Sequence, residues 1–373
     1  MKVLYDHQSF TGLKYGGVAR YYYELMNVFS KRKDIEFELA LQFSNNEYIN
    51  GASFSNHRTF STFLNHLATS KVMSLVNRLN SLRLIRQGDY DVFHPTFYHK
   101  YFLNHIGDKP FVLTFHDSTN EKFHHLYPSL GGDLHELKQQ LLDRATRVIA
   151  VSETTKQDML HYFKVDEDKI DVIYHGTSFI HITPNGATTR LKTPSNYLLY
   201  VGNRSDFKNF PFFVNSVKPL LQKHQDLQLL CAGGKRFTRE EKQLFTELGI
   251  NDQVHHYDIT NDEVLYVLYQ RAMAFVFPSL NEGFGIPILE AFATGCPVVL
   301  SQASSFPEVA QRAALYFDPT QSDSILDSVE KVVEDTLLRK SLISEGYARL
   351  QYFSTEKTAQ ETLEVYRKAI QHY

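Results

Sequence analysis

Short, nearly continuous apolar runs alternate with stretches of helical periodicity along this chain. KVLYDH (Lys2 to His7), FELALQF, DVFHPTF, FVLTFHD, RVIAVSE and KIDVIYHG all read as strands, and GVARYYYELMNVFSKR (Gly17 to Arg32) reads as a helix. The runs are apolar at consecutive positions, not at alternate ones. That pattern predicts strands buried on both faces, as in a parallel sheet covered by helices. The alternation pauses over GTSFIHITPNGATTRLKTPS (Gly176 to Ser195), whose polar, Gly/Pro/Thr-rich composition predicts an interdomain linker. It restarts with YLLYVGN, LQLLCAGG, QVHHYD, MAFVFPS, PVVLSQ and ALYFDP. TNDEVLYVLYQRA opens with Thr260 and Glu263 at the spacing of a capping box. A charged amphipathic helix, roughly Ser354 to His372, closes the chain. Two βα-repeating halves predict an α/β protein of two doubly wound domains, 1–180 and 196–353, with ligand at strand C-terminal ends in a cleft between them.

Length and charge narrow the function without naming it. The 373 residues suit two cores better than one. A net charge of −3, from 39 basic and 42 acidic residues, offers no electrostatic case for a nucleic-acid partner. Cys231 and Cys296 both lie in apolar runs, which is neither a disulfide framework nor a zinc cluster and points to a reducing compartment. MKVLYDHQSF lacks a signal-peptide h-region, no apolar stretch reaches the length of a membrane span, and no repeat or low-complexity tract stands out. A cytoplasmic location is expected.

The most informative stretch is NEGFGIPILEAFATG (Asn281 to Gly295). MAFVFPS predicts a buried strand just before it, and Pro287 marks a helix start. Gly283 and Gly285 then sit in the turn before the helix, where free amides and the helix dipole favour an anion. Glu290 is expected in the first helical turn, with its side chain leaning back toward the same turn. Glu282 and Glu290 would repel a phosphate but accept from hydroxyls. One glutamate alone would more readily be read as a charge that complements the helix N-terminus. The pair around a glycine turn fits a ligand bearing both phosphates and hydroxyls, such as a nucleotide sugar.

Other positions have the same double reading. In YVGNRSDFKNF, Arg204 and Lys208 follow Gly202 at a strand end, as an exposed basic loop or as cations for a leaving diphosphate. FTGLKYGGVARY, with Gly16 and Gly17, is neither G-x-G-x-x-G nor a Walker A loop, and neither is AGGKRFT. VLTFHDS places His116 and Asp117 at the end of an apolar strand. Two D-x-D pairs, Asp89/Asp91 and Asp166/Asp168, read as a strand entry and a surface turn; no metal site is expected from them, nor from FHHLYP and VHHYD.

EGFGIPILE resembles the E-x7-E signature of the retaining glycosyltransferases of family four, and the resemblance extends over essentially the whole chain. It implies the GT-B fold: two Rossmann-like domains facing a central cleft, with the closing helix (354–373) crossing back to the first. By position, Glu282 would face the donor sugar and Glu290 the nucleotide ribose. The amides of Gly283, Phe284, Gly285 and Ile286 would meet sugar and diphosphate. The resemblance makes Arg204 and Lys208 the leaving-group cations and Gly202 part of their turn. It makes Gly16 and Gly17 the N-terminal donor loop, His116 the first-domain active-site residue and Asp117 a sugar or acceptor contact. It implies front-face transfer with retention, no metal and no cofactor beyond the nucleotide-sugar substrate, and an acceptor that is a glycan or lipid-linked oligosaccharide in polysaccharide or lipopolysaccharide assembly. The donor expected from the resemblance is GDP-mannose or a UDP-hexose. A sugar-nucleotide epimerase of the same fold and a non-catalytic sugar-nucleotide-binding protein remain as alternatives. One departure is FST, with Thr355, where the family often has FSW; the chain has no Trp.

From Tyr48 to Gly88 there is no acid, while Arg58, Lys71, Arg78, Arg83 and Arg86 are interleaved with Leu64, Leu67, Val72, Leu75, Val76, Leu79 and Leu82. This reads as a core-facing helix with a basic outer face and, compatibly, as a surface for anionic lipid on the inner face of the cytoplasmic membrane.

Overall fold

The computed structural model describes residues 1–12, 14–59, 66–131, 133–204 and 206–371; Leu64, the side chain of Leu67 and the His372 end of the last helix lie outside the described residues. The chain divides into two compact units: Met1–His124, Pro128–Gly176 and Thr355–Tyr373 form the first, His125–Tyr127 and Thr177–Ser354 the second.

In the first unit the strands are β1 (Lys2–Tyr5), β2 (Glu36–Leu39), β3 (Val92–His94), β4 (Val112–Phe115), β5 (Arg147–Ala150) and β6 (Ile170–Val172). They pair in parallel as β2-β1-β3 and β4-β5-β6, and a bridge between Phe93 and Phe111 joins the two sets. The helices are α1 (Gly17–Phe29), α2 (His66–Gln87), α3 (Thr119–Phe123), α4 (Leu134–Arg144) and α5 (Glu153–Tyr162). The sheet is covered on both faces, which is why its central strands are apolar at successive positions, while the edge strand β2 (EFEL) alternates and is only partly covered. Val3, Tyr5, Val92, Val112 and Ile149 pack into one core. Leu4, Phe93, Leu113, Phe115 and Val148, from the intervening positions, pack into another.

The second unit is one parallel sheet of order β12-β11-β10-β7-β8-β9. Its strands are β7 (Asn196–Val201), β8 (Leu227–Ala232), β9 (Val254–Tyr257), β10 (Ala274–Phe277), β11 (Val298–Ser301) and β12 (Leu315–Phe317). Its helices are α6 (Phe210–Lys223), α7 (Arg239–Leu248), α8 (Asp262–Arg271), α9 (Ile286–Ala293), α10 (Phe306–Ala310), α11 (Ser322–Glu334) and α12 (Thr336–Leu350). The closing helix α13 (Thr355–Gln371) belongs to the first unit, where Ala359, Leu363 and Tyr366 share a core with Tyr22 and Met26 of α1. At the FST departure both Phe353 and Thr355 are buried, and Phe353 meets the Phe284 ring edge-on at 5.8 Å.

Three local expectations are corrected. The segment read as a linker folds onto the second unit. Phe179 is buried against Tyr266 and Tyr269, and Glu263 accepts from the Asn185 amide (3.1 Å) and the Thr188 hydroxyl (2.9 Å). That use of Glu263 displaces the expected capping box: the cap of α8 is Asn261, whose side chain accepts from the Val264 amide at 2.9 Å. The third concerns α2. Its buried face includes Asn77 and Ser81, while Val72, Leu75 and Leu79 are exposed. Asn77 turns inward because it satisfies the chain leaving β2, accepting from the Gln42 and Phe43 amides and donating to the Phe43 carbonyl.

Candidate active site

β7 and β10 are neighbours in the second sheet, so the turns leaving their C-terminal ends lie side by side. The turn after β10 carries Glu282 to Gly285. Ser304 and Ser305, after β11, hold it in place. The Glu282 amide donates to Ser304 Oγ at 3.1 Å, and Ser305 Oγ donates to the carbonyls of Glu282 and Phe284, both at 3.0 Å. Gly285 takes φ +102°, and a Cβ there would lie 2.9 Å from Ile288 Cδ1 and 3.1 Å from Phe306 Cε1, so only glycine fits. The chain enters α9 directly from this turn, with Pro287 in the first helical turn. The Phe284 side chain is packed inward.

Glu290 differs from expectation in place. α9 begins at Ile286, so Glu290 is its fifth residue and lies in the second turn. Its carboxylate is buried and accepts from the Tyr269 hydroxyl of α8 at 3.0 Å. Tyr269 was not singled out in the sequence; it reads there as one more apolar position of a helix.

The turn after β7 brings up Lys208, whose ammonium forms an ion pair with the Glu282 carboxylate, 74 residues away. Gly202 opens this turn with φ +118°. Arg204 does not stand beside Lys208 as a free cation. Its guanidinium is buried, with Nε donating to Glu241 Oε1 at 2.7 Å and the Nη atoms to the carbonyls of Gly233 (3.3 Å) and Lys235. It also lies over the Phe237 ring at 4.9 Å. Glu241 is the third-position partner of a capping box on α7, with its other oxygen accepting from the Thr238 amide at 2.7 Å. Arg204 therefore staples the turn after β8 to the turn after β7. The expected Arg/Lys pair is divided, Arg204 acting as a staple and Lys208 pairing with Glu282, because Arg204 found a carboxylate and two carbonyls that the sequence did not place near it.

In the first unit, Gly16 caps α1 with extended backbone, and its carbonyl accepts from the Arg20 amide at 2.9 Å. A Cβ on Gly17 would meet nothing within 4 Å. Neither glycine is required by local backbone strain, and the helix N-terminus is left open to close approach. His116, following β4, is buried among the rings of Tyr21, Tyr22 and Tyr98. Burial lowers its pKa to about 4, so it is neutral at pH 7. Its Nε2 makes no hydrogen bond among the described residues. Asp117 is spent locally. Its Oδ1 accepts from the Thr119 amide at 2.8 Å; burial pushes its carboxyl up, but Lys138 and that amide together hold it below the usual range. Lys138 is itself buried, donating to the Asp117 carbonyl and to Glu121, both at 2.9 Å. This Lys138–Glu121 pair behind the His116 turn carries no sequence signal, since a lysine in α4 reads as solvent-facing.

The D-x-D residues serve element ends. Asp91 accepts from the Lys2 amide at 2.8 Å, Asp89 pairs with the Lys2 ammonium at 2.7 Å, and Asp166 caps a short turn through the Asp168 amide at 3.1 Å.

Comparison with known proteins gives two family matches. Residues 185–349 match the family described as glycosyl transferases group 1, and residues 15–178 match glycosyltransferase family 4. O-antigen chain mannosyltransferase B of Escherichia coli is 27% identical over 94% of this chain and 96% of its own length. An uncharacterized glycosyltransferase of Methanocaldococcus jannaschii is 26% identical over 87% of each chain. Among solved structures, sucrose-phosphate synthase from Thermosynechococcus elongatus superimposes with a TM-score of 0.78 at 19% identity, covering 100% of this chain and 99% of that one. Anabaena Alr3699/HepE in complex with UDP and glucose gives 0.73 at 18% identity, over 97% and 98%.

Proposed function

We propose, from the premise that this chain belongs to the group 1, family-four glycosyltransferases and has their GT-B architecture, that it is a retaining, metal-independent enzyme. It would move a hexosyl group from GDP-mannose or a UDP-hexose onto a glycan or lipid-linked acceptor of surface polysaccharide. The carrying observation is the Lys208–Glu282 pair, set beside a glycine-opened helix with Glu290 buried in it. In the resting chain the two charges neutralise each other. A diphosphate competes with Glu282 for the Lys208 ammonium, and a freed Glu282 carboxylate then accepts from sugar hydroxyls. The amides from Gly283 to Ile286 and the dipole of α9 favour the negative charge that grows as the C1–oxygen bond to the diphosphate breaks. The departing oxygen takes the acceptor hydroxyl's proton while the new glycosidic bond forms on the same face. Glu290 accepts from the ribose, with Tyr269 orienting its carboxylate. Within the first unit, His116 is a neutral group suited to a hydroxyl.

The donor reading draws on two relatives: a full-length mannosyltransferase, and a neighbouring fold in complex with UDP and glucose. A thermal-shift panel of UDP-, GDP-, ADP- and TDP-sugars tests it. A GDP- or UDP-sugar is expected to raise the melting temperature by mass action, with the shift and the turnover both persisting in chelator. The product is expected to keep the donor's anomeric configuration by NMR. No shift with any sugar nucleotide would sink the proposal; a new sugar nucleotide from donor alone would favour the epimerase.

The membrane half of the proposal rests on α2. No helix among the described residues is long and apolar enough to cross a membrane. Val72, Leu75 and Leu79 are nevertheless about half exposed, at 49%, 57% and 58%, with Lys71, Arg78, Arg83 and Arg86 exposed on the same helix. An exposed apolar stripe among cations, on a segment without one acid, fits an anionic bilayer surface. Leu75→Asp together with Leu79→Asp is expected to move the protein from pellet to supernatant when it is co-sedimented with anionic vesicles. High salt should weaken wild-type binding. Equal sedimentation of mutant and wild type would remove α2 from the contact.

A further inference from the structure

Two histidines with no role so far, and Arg78 of the basic helix α2, gather around Tyr101 of the first unit. His7 follows β1, His99 follows β3, and Arg78 lies midway along α2. The rings of His7 and His99 stand 5.7 and 5.4 Å from the Tyr101 ring, and the Arg78 guanidinium lies over it at 5.5 Å. β1 and β3 are adjacent parallel strands, so both histidines come from the sheet edge at which parallel sheets receive ligands.

The hydrogen bonds define what each group offers. Ser81 Oγ donates to the Ala40 carbonyl (3.2 Å) and therefore accepts from His7 Nδ1 (2.8 Å). The remaining His7 nitrogen, Nε2, is an acceptor in the neutral ring and a donor once protonated. His99 Nδ1 accepts from the Tyr101 amide at 3.0 Å, which puts the ring proton on Nε2. Neither Nε2 nor any Arg78 N–H makes a hydrogen bond among the described residues. Asp6, the nearby carboxylate, is already saturated. It accepts from the Thr96 amide (2.8 Å), the Thr96 hydroxyl (2.7 Å), Gln8 Nε2 (2.5 Å) and the Tyr101 hydroxyl (2.9 Å). The cluster therefore presents a planar cation, a ring N–H and a convertible ring nitrogen. On α2, Leu75 and Leu79 of the exposed apolar stripe flank Arg78 in sequence.

We propose that Arg78, His99 and His7 bind a phosphate carried by an amphiphile whose hydrocarbon chain lies along Val72, Leu75 and Leu79, and that this site holds the lipid-linked acceptor. The proposal rests on the acceptor half of the function above. Arg78 takes two phosphate oxygens through its fork and His99 takes one through Nε2–H. His7 accepts a neighbouring hydroxyl, or becomes a third donor when the incoming charge protonates it. Burial lowers both histidine pKa values and Arg78 lowers them further, with Asp6 acting in the opposite direction and Lys100 adding to the lowering at His99. Both rings are thus neutral until an anion arrives, and binding should take up protons.

The test uses the full chain, titrated calorimetrically with octyl phosphate and with octyl glucoside, an uncharged amphiphile of the same chain length. Octyl phosphate is expected to bind at least about tenfold more tightly, and Arg78→Gln or His99→Gln each to remove about that factor, the worth of a charge-assisted hydrogen bond. Both side chains are exposed, so the fold should survive either change. Equal affinity for the two amphiphiles, or full affinity in both variants, overturns the site. Displacement by a short-chain alkyl diphosphate sugar supports the acceptor as the source of the phosphate. Displacement by phosphatidylglycerol vesicles alone reassigns it to the bilayer and overturns that part. Thermal shifts with nucleotide sugars, read in parallel, separate the failures. A chain that binds octyl phosphate but no nucleotide sugar loses the transferase reading and keeps the site; the reverse loses the site alone.

Discussion

Lys208→Ala is expected to lower turnover about 10²- to 10³-fold at saturating donor and acceptor, the usual consequence of removing a group that stabilises transition-state charge. Lys208 is the side chain from the turn after β7 that pairs with Glu282. Its removal leaves the growing diphosphate charge to backbone amides and the α9 dipole. It also leaves Glu282 without its counter-charge, so donor affinity should fall too, from repulsion between carboxylate and diphosphate. A fall in kcat larger than any rise in KM identifies a contact that strengthens in the transition state. Arg204→Ala provides the contrast. With its guanidinium committed to Glu241, Gly233 and Lys235, its loss should appear first as a lower melting temperature of the second unit. Turnover of Lys208→Ala within threefold of wild type would remove Lys208 from the chemistry.

Lys138→Met is expected to destabilise the first unit by about 3–5 kcal/mol, because it strands a carboxylate in the interior. Both side chains of the Lys138–Glu121 pair are 1% exposed. Lys138 also donates to the Asp117 carbonyl, so the turn that carries His116 should loosen with it. Adding Glu121→Leu to Lys138→Met removes the orphaned charge and should recover most of the lost stability, since a buried pair replaced by apolar groups is often nearly neutral. The check is the melting transition and the amide-exchange protection of β4 and α4 in wild type, single and double variants. Unchanged melting of Lys138→Met would mean that water reaches Glu121.

Much of the fold was legible because it follows from local patterns. Each of the twelve runs became a strand; the central ones are apolar at consecutive positions because they are covered on both faces, while β2 and β9 are polar at alternate or middle positions and only partly covered. The Gly285 turn was legible for a similar reason: a glycine before Ile-Pro is a local backbone requirement, and φ +102° with a blocked Cβ position bears it out. Local cues misled where a longer-range partner competed. Thr260 and Glu263 have the spacing of a cap, but Glu263 goes to Asn185 and Thr188. The apolar positions of α2 suggest a core-facing stripe, but the bonds that Asn77 makes to the chain after β2 turn Val72, Leu75 and Leu79 outward.

By itself the sequence determined the class of fold, the two-unit alternation, the glycine turn with its two glutamates and the basic character of α2. Each of these depends on neighbours within a few residues. The tertiary structure alone decided which charges meet. It paired Lys208 with Glu282 because β7 and β10 are adjacent in the sheet. It withdrew Arg204 into a staple, because the capping carboxylate of α7 and the carbonyls after β8 come within its reach. It buried Lys138 against Glu121 and gathered His7, Arg78 and His99 around Tyr101. Pairings of this kind depend on strand order and helix rotation, which no short stretch of chain encodes.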